Sequence, residues 1–271
     1  MHVWNPIKNT FILRAGMLHR RRHTVGREVS VSDVRDIQPA LYWGSDRKIV
    51  RFHLDPDVVR MRGSFSLGTG WNPFVAALTE GKDALTWFYS SFQPRDLTEL
   101  YFLNSIKTER GSTLPPGQLP WIAADGSTYK RTTLFHGPAG ADQIDAEARR
   151  VRALEKSIRK QGYRADIYGD VSGYFLKRGS ELRFMIKGGT HRAAVACALG
   201  LARLPVTFKP NWPRMIDIDD VGNWPLVASG DIGKRLAEAI FSRYFEFDGT
   251  QQRAGIAASD RERWQLPSHD R

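Results

Sequence analysis

A polar loop of five residues, Gly188 to Arg192, stands directly before an alanine-rich segment that predicts a helix. The glycines leave room for a ligand to approach the backbone, and the first N–H groups of a helix have no partner within the helix. Thr190, His191 and Arg192 add a hydroxyl, an imidazole and a guanidinium at the same place. A phosphate group bound at a helix N-terminus needs donors of this kind. The stretch therefore predicts a phosphate-binding loop shaped by Gly188 and Gly189.

The side chains in and beside this loop suit different roles. Arg192 offers a planar fork of donors to phosphate oxygens, and Thr190 is both a hydroxyl donor and a helix cap. His191 is a candidate catalytic residue, because an imidazole can accept and release a proton near neutral pH. Lys187 either adds a further cation to the site or faces solvent from a strand. The competing interpretation of the two glycines is a plain strand-to-helix turn that binds no ligand.

The composition is that of a globular protein with an excess of positive charge. Of the 271 residues, 41% are hydrophobic and 25% are charged, and 40 Lys and Arg against 29 Asp and Glu give a formal net charge of +11. Such an excess favours anionic partners, namely nucleotides, nucleic acids or phosphorylated glycans. A solvated basic surface explains it equally well. Part of the excess is local, at Arg20–Arg22 and again at Arg149, Arg150 and Arg152.

Several other classes of protein are disfavoured. The single cysteine, Cys197, excludes an intramolecular disulfide and is expected to be a small core residue of the helix after the loop. The histidines are scattered without the spacing of metal ligands, so we expect no metal site. No apolar run approaches the ~20 residues that span a bilayer, and the N-terminus lacks the apolar segment of a signal peptide. We expect a cytoplasmic protein without a membrane span, and the oligomeric state stays open.

Composition changes along the chain divide it into four predicted parts. In chain order these are a β-rich and helical N-terminal region (1–103), a linker rich in turn formers (104–140), a core unit (141–249) and a polar tail expected to be disordered (250–271). Alternating apolar and polar residues in the N-terminal region predict strands at 27–33 and 48–53, and its second half predicts three short helices within 73–103.

The core unit alternates helices and strands. Apolar positions recur every three or four residues from Ala141 to Gln161 and predict an amphipathic helix that ends at Gly162. Further strands are predicted at 164–170, 173–179, 181–189 and 204–209, and further helices at about 191–199 and 233–245. The pattern predicts an α+β fold, in which a small mixed sheet is flanked by helices and the N-terminal region packs beside or onto the same core.

The order of these motifs resembles the ParB/sulfiredoxin-like superfamily, also described as the ParB-like nuclease domain. The resemblance covers about residues 141–210 and rests on L-x-x-S-I-x-x-x-G from Leu154 to Gly162, G-T-H-R-A-A from Gly189 to Ala194, and A-L-G-L followed by L-P-V from Ala198 to Val206. In that superfamily the loop and its helix hold the phosphates of a nucleotide. The resemblance implies ATP or CTP with Mg²⁺ as ligand, and phosphoryl transfer or NTP hydrolysis as the chemistry.

Thr190 departs from the pattern of the superfamily. Sulfiredoxins carry a reactive cysteine there, and partition proteins and free serine kinases commonly carry an acidic residue. Threonine replaces both, so sulfinic acid reduction is not expected and hydrolysis loses a matching residue. The segment after Val206 also lacks the helix-turn-helix of the partition proteins. If phosphoryl transfer takes place, Asp170, in a predicted turn between strands, is the candidate contact for the metal or the acceptor.

Three classes of function therefore stay open at the level of the sequence. The first is an enzyme that binds a nucleotide or another phosphorylated small molecule, the second is a ParB-like protein that binds nucleic acid, and the third is a binding or scaffold protein without chemistry. The remaining motifs, among them FHGP before the core unit and Trp224-Pro225 after it, resemble a bacterial protein family often encoded near cell-surface polysaccharide genes. That wider resemblance implies polysaccharide metabolism as the setting.

Overall fold

The sheet at the centre of the protein takes strands from both the N-terminal region and the predicted core unit. The structure, a computed structural model, describes residues 25–30, 49–103, 114–122 and 135–265. The strands within these residues are β1 (Val25–Ser30), β2 (Ile49–Leu54), β3 (Val59–Arg60), β4 (Val171–Arg178), β5 (Glu181–Gly188), β6 (Leu204–Phe208) and β7 (Met215–Asp217). Six of them follow the order β1-β2-β6-β4-β5-β3, and β7 pairs with β4.

The pairing of the strands makes the sheet mixed, as predicted. β4 and β5 form an antiparallel hairpin, while β6 runs parallel to the first half of β4 and β7 to its second half. From the N-terminal region, β2 is antiparallel to β6, and β3 is parallel to β5. The two regions therefore share one sheet, and the boundary predicted at 104–140 does not separate two cores.

Helices pack around this sheet. Their bounds in the described residues are α1 (Pro73–Thr79), α2 (Lys82–Ser91), α3 (Leu97–Phe102), α4 (Ala141–Gln161), α5 (Ala165–Tyr168), α6 (Thr190–Ala198), α7 (Pro225–Ala228), α8 (Lys234–Glu246) and α9 (Thr250–Gln265). The three short helices predicted within 73–103 are present. The first begins where Asn72 Oδ1 accepts a hydrogen bond of 3.0 Å from the N–H of Phe74, with Pro73 in the first turn.

The amphipathic helix α4 has the bounds predicted from its apolar spacing. Its buried side chains are Ile144 and Val151, and it ends at Gly162, whose φ of 71° is a left-handed conformation suited to glycine. α4 packs against α6, α2 and α1. Full burial of an aliphatic side chain such as Val151 contributes roughly 1.5–3 kcal/mol. This packing fixes α4 against the helix that follows the glycine loop.

Three parts of the chain differ from the sequence-based expectations. Residues 164–170, predicted as a strand, contain the short helix Ala165–Tyr168. The disordered tail predicted for 250–271 is wrong for Thr250–Gln265, which are helical with Ile256 buried. Trp121, in the predicted linker, is 3% exposed and donates from Nε1 to the Tyr174 hydroxyl over 3.0 Å, so this part belongs to the core. Arg20–Arg22 lie outside the described residues.

No helix in the described ranges combines the length and the apolar character that crossing a bilayer requires.

Candidate functional site

The glycine loop connects the end of β5 to the start of α6 through one left-handed residue. Gly188 is the last residue of β5 and pairs with Ser172 of β4, next to an irregularity of the ladder between Ser172 and Gly173. Gly189 has a φ of 87°, and α6 begins at the next residue, Thr190. Because residues with a Cβ rarely adopt this φ, the second glycine permits the abrupt change from strand to helix.

The space beside Gly188 is bordered by a hydroxyl and an ammonium group. A Cβ at Gly188 would lie 2.8 Å from Ser172 Oγ and 4.0 Å from Lys209 Nζ. Lys209 follows β6, and its backbone N–H is held by the carbonyl of Gly173 at 2.8 Å. Within the described ranges, no carboxylate lies within salt-bridge distance of Lys209. A side chain at position 188 would therefore collide with the Ser172 hydroxyl, and glycine lets Ser172 and Lys209 lie beside the loop. We call Gly188, Gly189, Ser172 and Lys209 the Gly188 cradle.

The N-terminus of α6 adds an electrostatic preference for anions to this cradle. No side chain caps the helix, and its first turn contains no acidic residue. The first N–H groups of a helix carry a partial positive charge, which an anion neutralises. An uncapped N-terminus beside a lysine is therefore a favourable place for a phosphate group.

The guanidinium of Arg192 is partly occupied by backbone carbonyls. Nη1 donates to the carbonyl of Tyr168, and Nη2 donates to the carbonyl of Asp170 over 3.2 Å. The Nε atom is buried and has no hydrogen-bond partner among the residues that the structure describes. Arg192 thus holds the connection from α5 to β4, a role that the sequence did not predict, and only part of its donor fork remains for a ligand.

Tyr163, just after α4, lies close enough to Arg192 for their charges to interact. Its hydroxyl is buried. Burial raises the pKa of Tyr163, and the charges of Arg192 and Asp170 act on it in opposite directions. Hydrogen bonding with Arg192 and with the backbone of Val171 opposes part of this increase, so the tyrosine hydroxyl and the guanidinium belong to one buried polar cluster beside the loop.

Asp170, the candidate for metal or acceptor contact, is engaged by an arginine of β2. Arg51 Nε donates to Oδ1 over 2.8 Å and Nη2 donates to Oδ2 over 3.4 Å, and the Asp170 side chain is 9% exposed. Within the described part of the chain, no group of three or more His, Cys, Asp or Glu side chains is placed to hold a metal ion. Both carboxylate oxygens face one guanidinium, so Asp170 acts here as its structural partner.

His191 links the loop to helix α4. Its Nε2 contacts the Glu147 carboxylate, and its ring packs on Phe74 with 4.4 Å between the ring centres. Burial alone raises the pKa of Glu147, but the hydrogen bond and charge interaction with His191, together with Arg150, outweigh it, so the pKa is lowered. His191 and Thr190 are both buried, at 9% and 8% exposure. The predicted catalytic histidine therefore holds two helices together.

Lys187 contributes to the rim of the site through an aromatic contact. Its Nζ lies 4.2 Å from the centre of the Trp212 ring, and this ring stacks on Tyr174 at 5.8 Å. On the same segment after β6, the Arg214 guanidinium lies over Phe208 at 5.2 Å. These contacts hold the Lys187 ammonium and the Arg214 guanidinium on aromatic faces.

The structure thus brings together part of the predicted site and adds residues that the sequence did not indicate. Gly188 ends β5 and Gly189 makes the turn, but the prediction of Thr190 as a helix cap is wrong, because Gly189 is the N-cap and Thr190 is the buried first residue of α6. Ser172 and Lys209 were missed because they reach Gly188 only through strand pairing, across 16 and 21 positions of the chain. The one signal for them was their place at the ends of two predicted strands that could lie beside the loop strand.

Comparisons of this chain with models of protein families, with curated protein sequences and with solved structures each gave no match.

Proposed function

We propose that this protein binds the phosphate group of a nucleotide, or of another phosphorylated small molecule, at the N-terminus of α6. The observation that carries the proposal is the cradle at Gly188, where a hydroxyl and an ammonium group border the space of the missing side chain. The uncapped helix N-terminus and the left-handed Gly189 next to it support the same ligand.

Each element of the cradle has a defined part in binding. The N–H groups at the start of α6 donate to phosphate oxygens, the Ser172 hydroxyl adds a neutral donor, and Lys209 supplies the charge. Hydrogen bonds that involve a charged group contribute about 1.5–3 kcal/mol each. Arg192 holds the loop beside the start of β4 through its two carbonyl contacts.

The function that the geometry supports best is binding rather than hydrolysis. The described residues offer no cluster of metal ligands, and both oxygens of Asp170 face Arg51, so a Mg²⁺ ion would arrive coordinated by the nucleotide phosphates. The ParB/sulfiredoxin-like fold, phosphoryl transfer and a setting in cell-surface polysaccharide metabolism stay predictions of the resemblance. They are not needed for the proposal.

Isothermal titration of the full chain tests the proposal directly. The titrants are ATP, ADP, CTP and GTP with Mg²⁺, and inorganic pyrophosphate alone. We expect saturable binding by the wild type and a loss of about 10- to 100-fold in affinity for Lys209→Ala, which follows from one charge-assisted hydrogen bond. Ser172→Ala is expected to lose less, because its hydroxyl is a neutral donor.

A matched lysine provides the control. Lys234 is exposed at the start of α8, and Lys234→Ala changes the net charge by the same amount as Lys209→Ala. If the two variants lose the same affinity, the effect is one of overall charge and the cradle is not the site. Absence of binding to every titrant would overturn the proposal and leave the loop as a strand-to-helix turn.

A further inference from the structure

The outward side of helix α4 carries a concentrated positive charge that the phosphate site does not use. Residues 149–160 contain six basic residues and one acidic residue, a formal net charge of +5. This short segment therefore holds nearly half of the formal net charge of +11 of the whole chain. Such a concentration of positive charge is typical of a surface that binds an anionic partner.

Five of these cations form one row along the helix. At 100° per residue, the side chains fall within about 100° of the helix circumference and extend over about 17 Å. We call this row the α4 basic stripe, and all its members are exposed: Arg149, Arg152, Lys156, Arg159 and Lys160. The buried residues Ile144 and Val151 lie on the other side of the helix, so the stripe faces away from the protein.

Local ion pairs account for only part of the stripe. Glu155 accepts hydrogen bonds from Arg152 at 3.0 Å and from Arg159 at 3.2 Å. Arg149, Lys156 and Lys160 have no carboxylate within salt-bridge distance in the part of the chain that the structure describes. The helix dipole favours cations in the last turn, which explains Lys160, and the charge of Arg149 acts on Asp145 one turn earlier, so Lys156 has neither explanation. A surface that serves only solubility intersperses charges of both signs.

We propose that the α4 basic stripe binds the phosphate backbone of double-stranded nucleic acid without reading its sequence. One strand of a duplex places a phosphate every 3.4 Å along the axis but winds around that axis, so a straight helix of about 17 Å faces about two or three phosphates of that strand. The stripe has five exposed cations, which is enough for these contacts. This surface is separate from the cradle at Gly188 and does not depend on it.

Two other polyanionic partners fit the stripe less well. Single-stranded nucleic acid is held by aromatic side chains on which bases stack, and the stripe has none. A membrane surface is held by apolar side chains inserted below the headgroups. Among the described residues, the exposed large hydrophobic side chain is Ile167 of α5, outside the stripe. A rigid row of cations matches a duplex backbone best.

The test is fluorescence anisotropy of the full chain with a labelled 20-base-pair duplex of arbitrary sequence, at several salt concentrations. The triple variant Arg149→Gln, Lys156→Gln, Lys160→Gln removes the cations without ion pairs. We expect at least a tenfold loss of affinity at low salt. The slope of log K against log salt concentration should become less negative by about 0.9 for each phosphate contact that is lost.

A second triple variant matches the change in charge at another place. Arg203→Gln, Lys234→Gln, Arg235→Gln also removes three exposed cations, none of them on α4, and should leave affinity and salt slope within about twofold of the wild type. Thermal melting by circular dichroism establishes that both variants are folded. Equal losses by the two variants, no binding of the duplex by the wild type, or tighter binding of a single strand or of phosphatidylserine vesicles would each overturn the proposal.

Discussion

Replacing Arg192 with alanine removes the side chain that the structure places between the glycine loop and the start of β4. The guanidinium donates to the carbonyls of Tyr168 and Asp170, and both carbonyls lose this donor in the variant. A hydrogen bond from a charged donor contributes about 1.5–3 kcal/mol. Because both bonds are part-buried, the lower end of that range applies, and the free energy of unfolding should fall by about 3 kcal/mol.

The assay is thermal and urea unfolding followed by circular dichroism. A change of about 3 kcal/mol lowers the melting temperature of a domain of this size by about 6–12 °C. Arg192→Lys is the control, because an ammonium group on a flexible stem reaches one of the carbonyls and should recover about half of the loss. An Arg192→Ala variant within about 0.5 kcal/mol of the wild type would refute the structural role given to this side chain.

Three further predictions concern residues around the loop. Gly189→Ala should lower the free energy of unfolding, measured in urea, by about 1–2 kcal/mol more than Gly200→Ala. The two glycines have nearly the same φ, 87° and 86°, but only a Cβ at Gly189 would meet Arg192 Nη2, at 2.9 Å. Equal losses in the two variants would contradict this packing. Because the pKa of Glu147 is lowered in the folded protein, its carboxylate stabilises the fold at pH values above the usual pKa of 4.5. This stabilisation is lost as the pH falls through the lower pKa of the folded state. The stability advantage of the wild type over Glu147→Gln should therefore shrink below pH 4.5, and an unchanged difference down to pH 3 would show that the carboxylate is not coupled to its histidine. Burial raises the pKa of Cys197 to about 12, so Ellman's reagent at pH 8 should react only after unfolding; fast reaction with the native protein would show that the thiol is accessible.

Local sequence patterns were sufficient for the elements on either side of the site. The apolar spacing and Gly162 predict the bounds of α4, and the glycine pair followed by alanines predicts the junction of β5 and α6. The strand predicted at 164–170 is wrong. Ile167 and Tyr168 suit a strand, but the residues form a single helical turn, α5, that ends at Gly169. The composition of 250–271 is polar, but it contains good helix formers, and α9 buries Gln252 and Ile256.

Long-range pairing explains what local patterns could not predict. That β2 pairs with β6 and β3 with β5 is decided by tertiary packing, so the sequence left open whether the two regions share one core. The same limit applied to the site. Arg192 was predicted to bind a phosphate because the carbonyls that it contacts lie 22 and 24 positions away in the sequence. His191 was predicted to be catalytic because its partner Glu147 lies 44 positions away.

The most direct test of the phosphate site follows the backbone amides of the full ¹⁵N-labelled chain by NMR while ATP with Mg²⁺ is added. The proposed site predicts that the amides of residues 189–192, at the start of α6, shift the most and saturate with the affinity measured by calorimetry. In Lys209→Ala the same amides should shift only partly at ligand concentrations that saturate the wild type, and they should need about 10- to 100-fold more ligand to saturate. If ATP binds but the largest shifts lie elsewhere in the chain, the N-terminus of α6 is not the binding site.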